Sequence, residues 1–119
     1  MSDVTIYHNP ACGTSRNVLA ALRERGIEPV IIEYLKNPPD QATLSAIAKA
    51  TGKPLSALLR RKGPVYEELQ LDRADLSDPQ LLTAMLAHPV LIERPIVVTP
   101  LGTRLCRPAE VLQEILPPA

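Results

Sequence analysis

The chain is 119 residues long, and its 13 Lys and Arg balance 13 Asp and Glu, so no net field draws it toward nucleic acid or an anionic membrane. Trp and Phe are absent and only three Tyr remain, which leaves little from which to build base-stacking platforms. The length fits one domain, residues 1–119, whose core must come from Leu, Ile, Val and Ala.

Asp3-Val-Thr-Ile-Tyr7 is β-branched and loosely alternating, which predicts a short strand that Asn9-Pro10 breaks. From about Thr14 the spacing predicts a helix with Val18, Leu19 and Leu22 as its apolar stripe and Gly26 as its stop. Pro29 to Tyr34 is a nearly continuous apolar run, expected of a strand covered on both faces. Strand, helix and strand in so short a stretch make a βαβ unit with a right-handed crossover.

The turn Asn37-Pro-Pro-Asp40 delivers Asp40 as N-cap of a helix that turns Leu44, Ile47, Ala48 and Thr51 inward and ends at Gly52. Pro54 opens a short helix carrying Leu55, Leu58 and Leu59. Residues 64–76 read as irregular chain with a helical turn near Tyr66 to Leu69. Asp78-Pro79 is expected to cap a further helix, with Leu81, Leu82, Met85 and Leu86 inward until Pro89 and His88 as its C-terminal cap. Ile96–Thr99 and Thr103–Arg107 flank Pro100-Leu101-Gly102 and read as a hairpin. Pro108 then opens a terminal helix with Val111, Leu112, Ile115 and Leu116 on its inner face.

The order βαβ, helical segment, ββα is that of an α/β protein with a thioredoxin-like (glutaredoxin-like) fold. It predicts a four-stranded mixed sheet with flanking helices and a helical insertion at about residues 38–88. No apolar stretch approaches the ~20 residues that span a bilayer. The N-terminus MSDVTIYHNP has no basic region leading into an apolar run, so no signal peptide is expected. Two cysteines are too few for a disulfide scaffold, which favours reduced thiols and a cytoplasmic protein.

Cys12 is the residue with most chemistry in prospect. It lies in the loop leaving the first strand, just ahead of a helix N-terminus, where partial positive charge and unpaired N–H groups favour thiolate and welcome anions. Gly13 would let the backbone approach a ligand, and the hydroxyls of Thr14 and Ser15 can donate to sulfur or an oxyanion. Position 15 is Ser, so the loop lacks the second thiol of a Cys-x-x-Cys motif. A buried inert thiol is the default for cysteine, but a polar loop with glycine is a poor place to bury one. His8 can help hold the thiolate or simply bond the loop backbone, an orienting role being favoured over proton transfer. Cys106, alternating with Leu105, reads as a small core residue.

Arg94 precedes Pro95, where a cis peptide is plausible, and in the thioredoxin layout that loop faces the thiol. Arg107 ends the last strand and Arg60 ends the short Leu-rich helix. Singly, each reads as solvated surface. Together, three converging guanidiniums would grip a tetrahedral oxyanion. No metal-ligand cluster appears in the sequence.

YHNPACGTSRN, the turn KNPP, SALLRRK and above all ERPIVVTPLGTRLCRP resemble the glutaredoxin-dependent bacterial arsenate reductases, the ArsC family, from about residue 3 to residue 115. The resemblance implies the same thioredoxin-like fold with a helical insertion. It implies that Cys12 is the nucleophile toward arsenic(V), that Arg60, Arg94 and Arg107 bind the oxyanion, and that His8 and Ser15 support the thiolate. Arg61 lies next to Arg60 in the same motif, and Arg60 is the preferred ligand. Glutathione is the implied co-substrate and glutaredoxin the resolving partner, with no tightly bound cofactor; a monomer is expected.

Three other readings stay open at this point. One is an ArsC-like thiol- or glutathione-handling protein with another substrate, Spx-type regulators included. Another is a low-molecular-weight tyrosine phosphatase, although Arg16, four residues after Cys12, is wrongly spaced for its phosphate loop. The third is an oxyanion-binding module in which Cys12 is incidental.

Overall fold

The computed structural model describes residues 3–72 and 75–117, which form two compact units: one of residues 1–37 with 94–119, the other of 38–93. The first unit holds strands β1 (Thr5–His8), β2 (Val30–Glu33), β3 (Ile96–Thr99) and β4 (Gly102–Leu105), helix α1 (Gly13–Glu24), and a 3-10 run over Ala109–Ile115. Sheet order is β2-β1-β3-β4, with β1 parallel to β2 and antiparallel to β3, and β4 antiparallel to β3. This is the mixed thioredoxin-like sheet that the element order predicts.

One core follows from the sequence pattern. Val4 and Ile6 of the first strand region, Val18, Leu19 and Leu22 of α1, Val97 of β3, and Leu112, Ile115 and Leu116 cluster with Cys106. The α1 stripe recurs at helical spacing, so one helix face lies in this core while Arg16, Asn17 and Arg23 stay exposed. The helix stops where Gly26 takes a positive φ of 75°, with the Gly26 N–H bonded to the Arg23 carbonyl. Terminal packing is further fixed by Thr99, whose hydroxyl donates to the Ile115 carbonyl at 2.6 Å. At Gly102 (φ 153°) an added Cβ would come 3.1 Å from Ile115 Cγ2, so the tight hairpin and this packing both favour glycine.

Three expectations need correction here. The strand over 29–34 is not covered on both faces: β2 is an edge strand, and Val30 and Ile31 are 48% and 37% exposed. An apolar run alone does not tell a central strand from an edge strand, because the partner is set by distant chain. The second hairpin strand ends at Leu105, leaving Cys106 and Arg107 just beyond it. The terminal segment winds as a 3-10 run after Pro108 rather than as an α-helix; Leu112 and Ile115 are buried and Val111 only half-buried.

The second unit carries α2 (Gln41–Thr51), a 3-10 turn at Leu55–Leu58, α3 (Pro64–Glu68), α4 (Asp78–Ala87) and a 3-10 turn at Pro89–Leu91. Asp40 caps α2, its carboxylate accepting from the Thr43 N–H at 2.8 Å, and Gly52 closes it at φ 72°. Pro54 is the N-cap of a 3-10 turn, not the first residue of a helix. The expected turn within 64–76 is α3, and residues 73 and 74 lie outside the described residues. The cap of α4 is Ser77 rather than Asp78. Ser77 and Gln80 form a reciprocal capping box, which leaves Asp78 in the first turn, where its charge suits the helix dipole. Leu58 and Leu59 are buried, and the Leu59–Ile92 bridge, with Arg60 N–H to Leu91 carbonyl at 2.7 Å, ties the 3-10 turn to the end of the unit. The insertion therefore runs to Glu93, somewhat past the expected residue 88.

Candidate active site

Cys12 is the N-cap residue of α1, in extended backbone at φ −94° and ψ 123°. Its N–H donates to the Asn9 carbonyl at 3.0 Å, and its own carbonyl accepts from the Arg16 N–H at 3.0 Å. The first turn of α1 contains no acidic residue, so the positive end of the helix dipole is left uncompensated next to the sulfur. An added Cβ at Gly13 would meet nothing closer than Arg16 Nη2 at 3.7 Å, so packing alone does not demand glycine there. Thr14 is half-buried in the same turn.

Two guanidiniums from the last third of the sequence reach the thiol. Arg107 Nη1 donates to Cys12 Sγ at 3.7 Å and to the Arg94 carbonyl at 3.3 Å. Arg94 is 9% exposed, and its Nε and Nη1 are buried without a hydrogen-bond partner. Buried donors of a permanent cation are costly to leave unmade, and they are suited to an anion that brings its own oxygens. The Arg94–Pro95 and Arg107–Pro108 bonds are both cis.

Opposing effects act on the Cys12 thiol. Burial pushes it up, but hydrogen bonding from the Ser15 backbone N–H and from Arg94 and Arg107, with the Arg94 charge, brings it from 9.0 down to about 7. The thiolate is then well populated at neutral pH and half-exposed, as a nucleophile requires. Cys106 is the contrast. Burial, then the charge of Glu114, outweighs Arg104 and pushes its thiol up to about 12, and it is fully buried in the core.

The Ser15 hydroxyl is fully buried and turned away from solvent. It pairs with His8 Nδ1 at 2.7 Å and accepts from the Asn9 N–H at 3.1 Å, while the Ser15 backbone N–H serves the sulfur. His8 is held below its ordinary value by burial, opposed by Glu33 and aided by Arg23 and Arg16. Its ring therefore sits neutral beside Ser15. Asn9 is the residue that the sequence reading passes over as a strand breaker. It is buried, and its Oδ1 accepts from the Ala11 N–H at 2.9 Å. The Asn-Pro dipeptide ahead of the thiol was the available signal for such a turn.

Cys12, Arg94, Arg107, His8, Ser15, Gly13 and Thr14 all belong to the first unit. Arg60 belongs to the second, where its Nη1 pairs with Glu93 Oε1 at 3.0 Å and both side chains are largely buried. Arg61 is exposed. Among the described residues, no group of three or more His, Cys, Asp or Glu gathers to hold a metal ion.

A thiol brought down to about 7 at a helix N-terminus, beside two arginines on a thioredoxin-like sheet, is an arrangement suited to anion chemistry through sulfur. The ArsC family profile matches residues 7–115. An arsenate reductase of Rhizobium meliloti (strain 1021) is 60% identical over 114 residues, covering 96% of this chain and 81% of the relative. One of Escherichia coli (strain K12) is 56% identical over 119 residues, covering 100% of this chain and 84% of the relative. Among solved structures, the arsenate reductase from Vibrio cholerae superposes with a TM-score of 0.91 at 45% identity, covering 95% of this chain and 97% of that one. The chain belongs to the ArsC family.

Proposed function

We propose that the protein is an arsenate reductase in which Cys12 attacks arsenic(V) and external thiols supply the electrons. The observation that carries this reading is the half-exposed, acidified Cys12 beside Arg107 and the unpartnered buried N–H groups of Arg94. Arsenate near neutral pH is a largely ionised tetrahedron. The two arginines and the first turn of α1 supply donors that bind its oxygens and spread the charge that builds as sulfur attacks.

Thiolate attack forms a Cys12–arsenic bond and expels one arsenate oxygen, which leaves as water after taking up protons. Two electrons are still needed. Cys106, buried in the core, is no resolving thiol for Cys12. Glutathione therefore adds at the arsenic–cysteine adduct, and a second thiol, from glutaredoxin, resolves it. Over the cycle two external thiols lose two electrons and two protons and form one disulfide, while arsenic(V) becomes arsenic(III) and departs as arsenite. Both cysteines are free, as suits a reducing cytoplasm, and the scheme needs only one copy of the chain.

Arg60 enters this proposal through the motif SALLRRK, as a third oxyanion ligand; its neighbour Arg61 is the control. Arg60→Ala should raise the KM for arsenate at least tenfold, with Arg61→Ala within twofold of the parent. The co-substrate is tested by NADPH oxidation coupled through glutathione reductase. Arsenate-dependent turnover should require both glutathione and glutaredoxin, and turnover that persists with either omitted would overturn the external-thiol scheme.

A further inference from the structure

We propose that Asn9 is a positioning residue for Cys12, fixing through three hydrogen bonds the loop that holds the sulfur over the first turn of α1. This rests on Cys12 being the nucleophile. Pro10 has no N–H, so the first donor after Asn9 is Ala11, and the Asn9 Oδ1 accepts it at 2.9 Å. The Asn9 carbonyl accepts the Cys12 N–H at 3.0 Å, and the Asn9 N–H donates to Ser15 Oγ at 3.1 Å. The side chain supplies the bond that closes the turn, and the turn sets the backbone N–H and carbonyl of the same residue to reach Ser15 and Cys12. Ser15 is held from its other side by His8 at 2.7 Å.

The chemistry of the side chain matters as well as its shape. Asp would close the same turn with a carboxylate oxygen, but would place a negative charge within one turn of the thiolate and of the incoming oxyanion. Ser can also close such a turn, less completely, without charge. Asn is the residue that closes the turn and stays neutral.

The test is the pH dependence of Cys12 alkylation by iodoacetamide, read on the Cys12 peptide by mass spectrometry, with kcat and KM for arsenate measured in parallel. Asn9→Ala should move the inflection upward from about 7 toward the ordinary 9.0. It should lower kcat about tenfold or more at pH 7, with part of the loss recovered at higher pH. Asn9→Ser should restore most of the rate, and Asn9→Asp should titrate above Asn9→Ser. A folded Asn9→Ala variant that keeps its inflection near 7 and its kcat within twofold overturns the proposal. Should Asn9→Ala not fold, identical inflections and rates in Asn9→Ser and Asn9→Asp overturn it instead. The alkylation profile needs no arsenate, so a parent chain without arsenate turnover would sink the reductase reading while leaving this measurement decisive for Asn9.

Discussion

The Arg107 guanidinium donates to the Cys12 sulfur at 3.7 Å although 95 residues separate the two in sequence. The contact exists because β3 and β4 return the chain beside β1, so that β4 and β1 finish at the same end of the sheet. Arg107→Ala removes one of the donors that bring the Cys12 thiol down to about 7 against its burial. The inflection of iodoacetamide alkylation should rise by a few tenths to one pH unit. kcat/KM for arsenate should fall about 100- to 1,000-fold, the range expected when a donor to a reacting oxyanion is lost.

Arg94 should show a trade between stability and activity. Its Nε and Nη1 are buried without a hydrogen-bond partner, and a buried donor left unmade costs about 1–3 kcal/mol. Arg94→Met, similar in reach and uncharged, should therefore leave the thermal midpoint unchanged or raise it while abolishing arsenate turnover. Arsenate at saturating concentration should raise the midpoint of the parent protein and leave that of the variant unmoved. A large drop in the variant's midpoint would show that those donors have partners in solution.

Cys106 should be a packing residue. It is fully buried, its thiol lies near 12, and iodoacetamide should not reach it in the folded protein at pH 8. Cys106→Ala should retain turnover within about twofold and cost about 1–3 kcal/mol in urea unfolding. Because its folded value lies above the ordinary 9.0, its protonated form is favoured by folding, and that contribution is lost as pH rises from 9 toward 12. Cys12 has the opposite sign: its contribution is present above 9.0 and is lost as pH falls through about 7.

His8 gives a pH dependence on the acid side. Its folded value is lowered, first by burial, so the unfolded chain binds the proton more readily. Its contribution to stability is full above the ordinary 6.5 and is lost as pH falls from 6.5 to the lower folded value. Urea midpoints from pH 5 to pH 7 should rise with pH in the parent and rise less steeply in His8→Gln. Equal slopes would place the titration elsewhere.

Much of this architecture is legible in the sequence because local signals agree with one another. The α1 stripe, the Asp40 cap and the Gly26 and Gly52 stops each specify an element without help from distant chain. What is not legible depends on partners. Whether the apolar run at 30–33 lies at an edge is decided by β1 and β3, and the exposure of Val30 follows. Between Ser77 and Asp78, both good caps, the choice is made by Gln80, whose side chain returns to the Ser77 N–H at 2.9 Å. At the site, the residue types of Cys12, Arg94 and Arg107 suggest their chemistry, but only the sheet brings them together. The turn formed by Asn9 is not legible because Asn-Pro also reads as a simple strand terminator.

The central claim, that Cys12 is the sulfur that meets arsenate and that no second thiol of this chain completes the reaction, is tested most directly by one paired measurement. Arsenate-dependent NADPH oxidation, coupled through glutathione, glutaredoxin and glutathione reductase, is compared in Cys12→Ser and Cys106→Ala. The account predicts no turnover above background in Cys12→Ser and near-parental turnover in Cys106→Ala. Turnover in Cys12→Ser, or its loss in a folded Cys106→Ala, would contradict it.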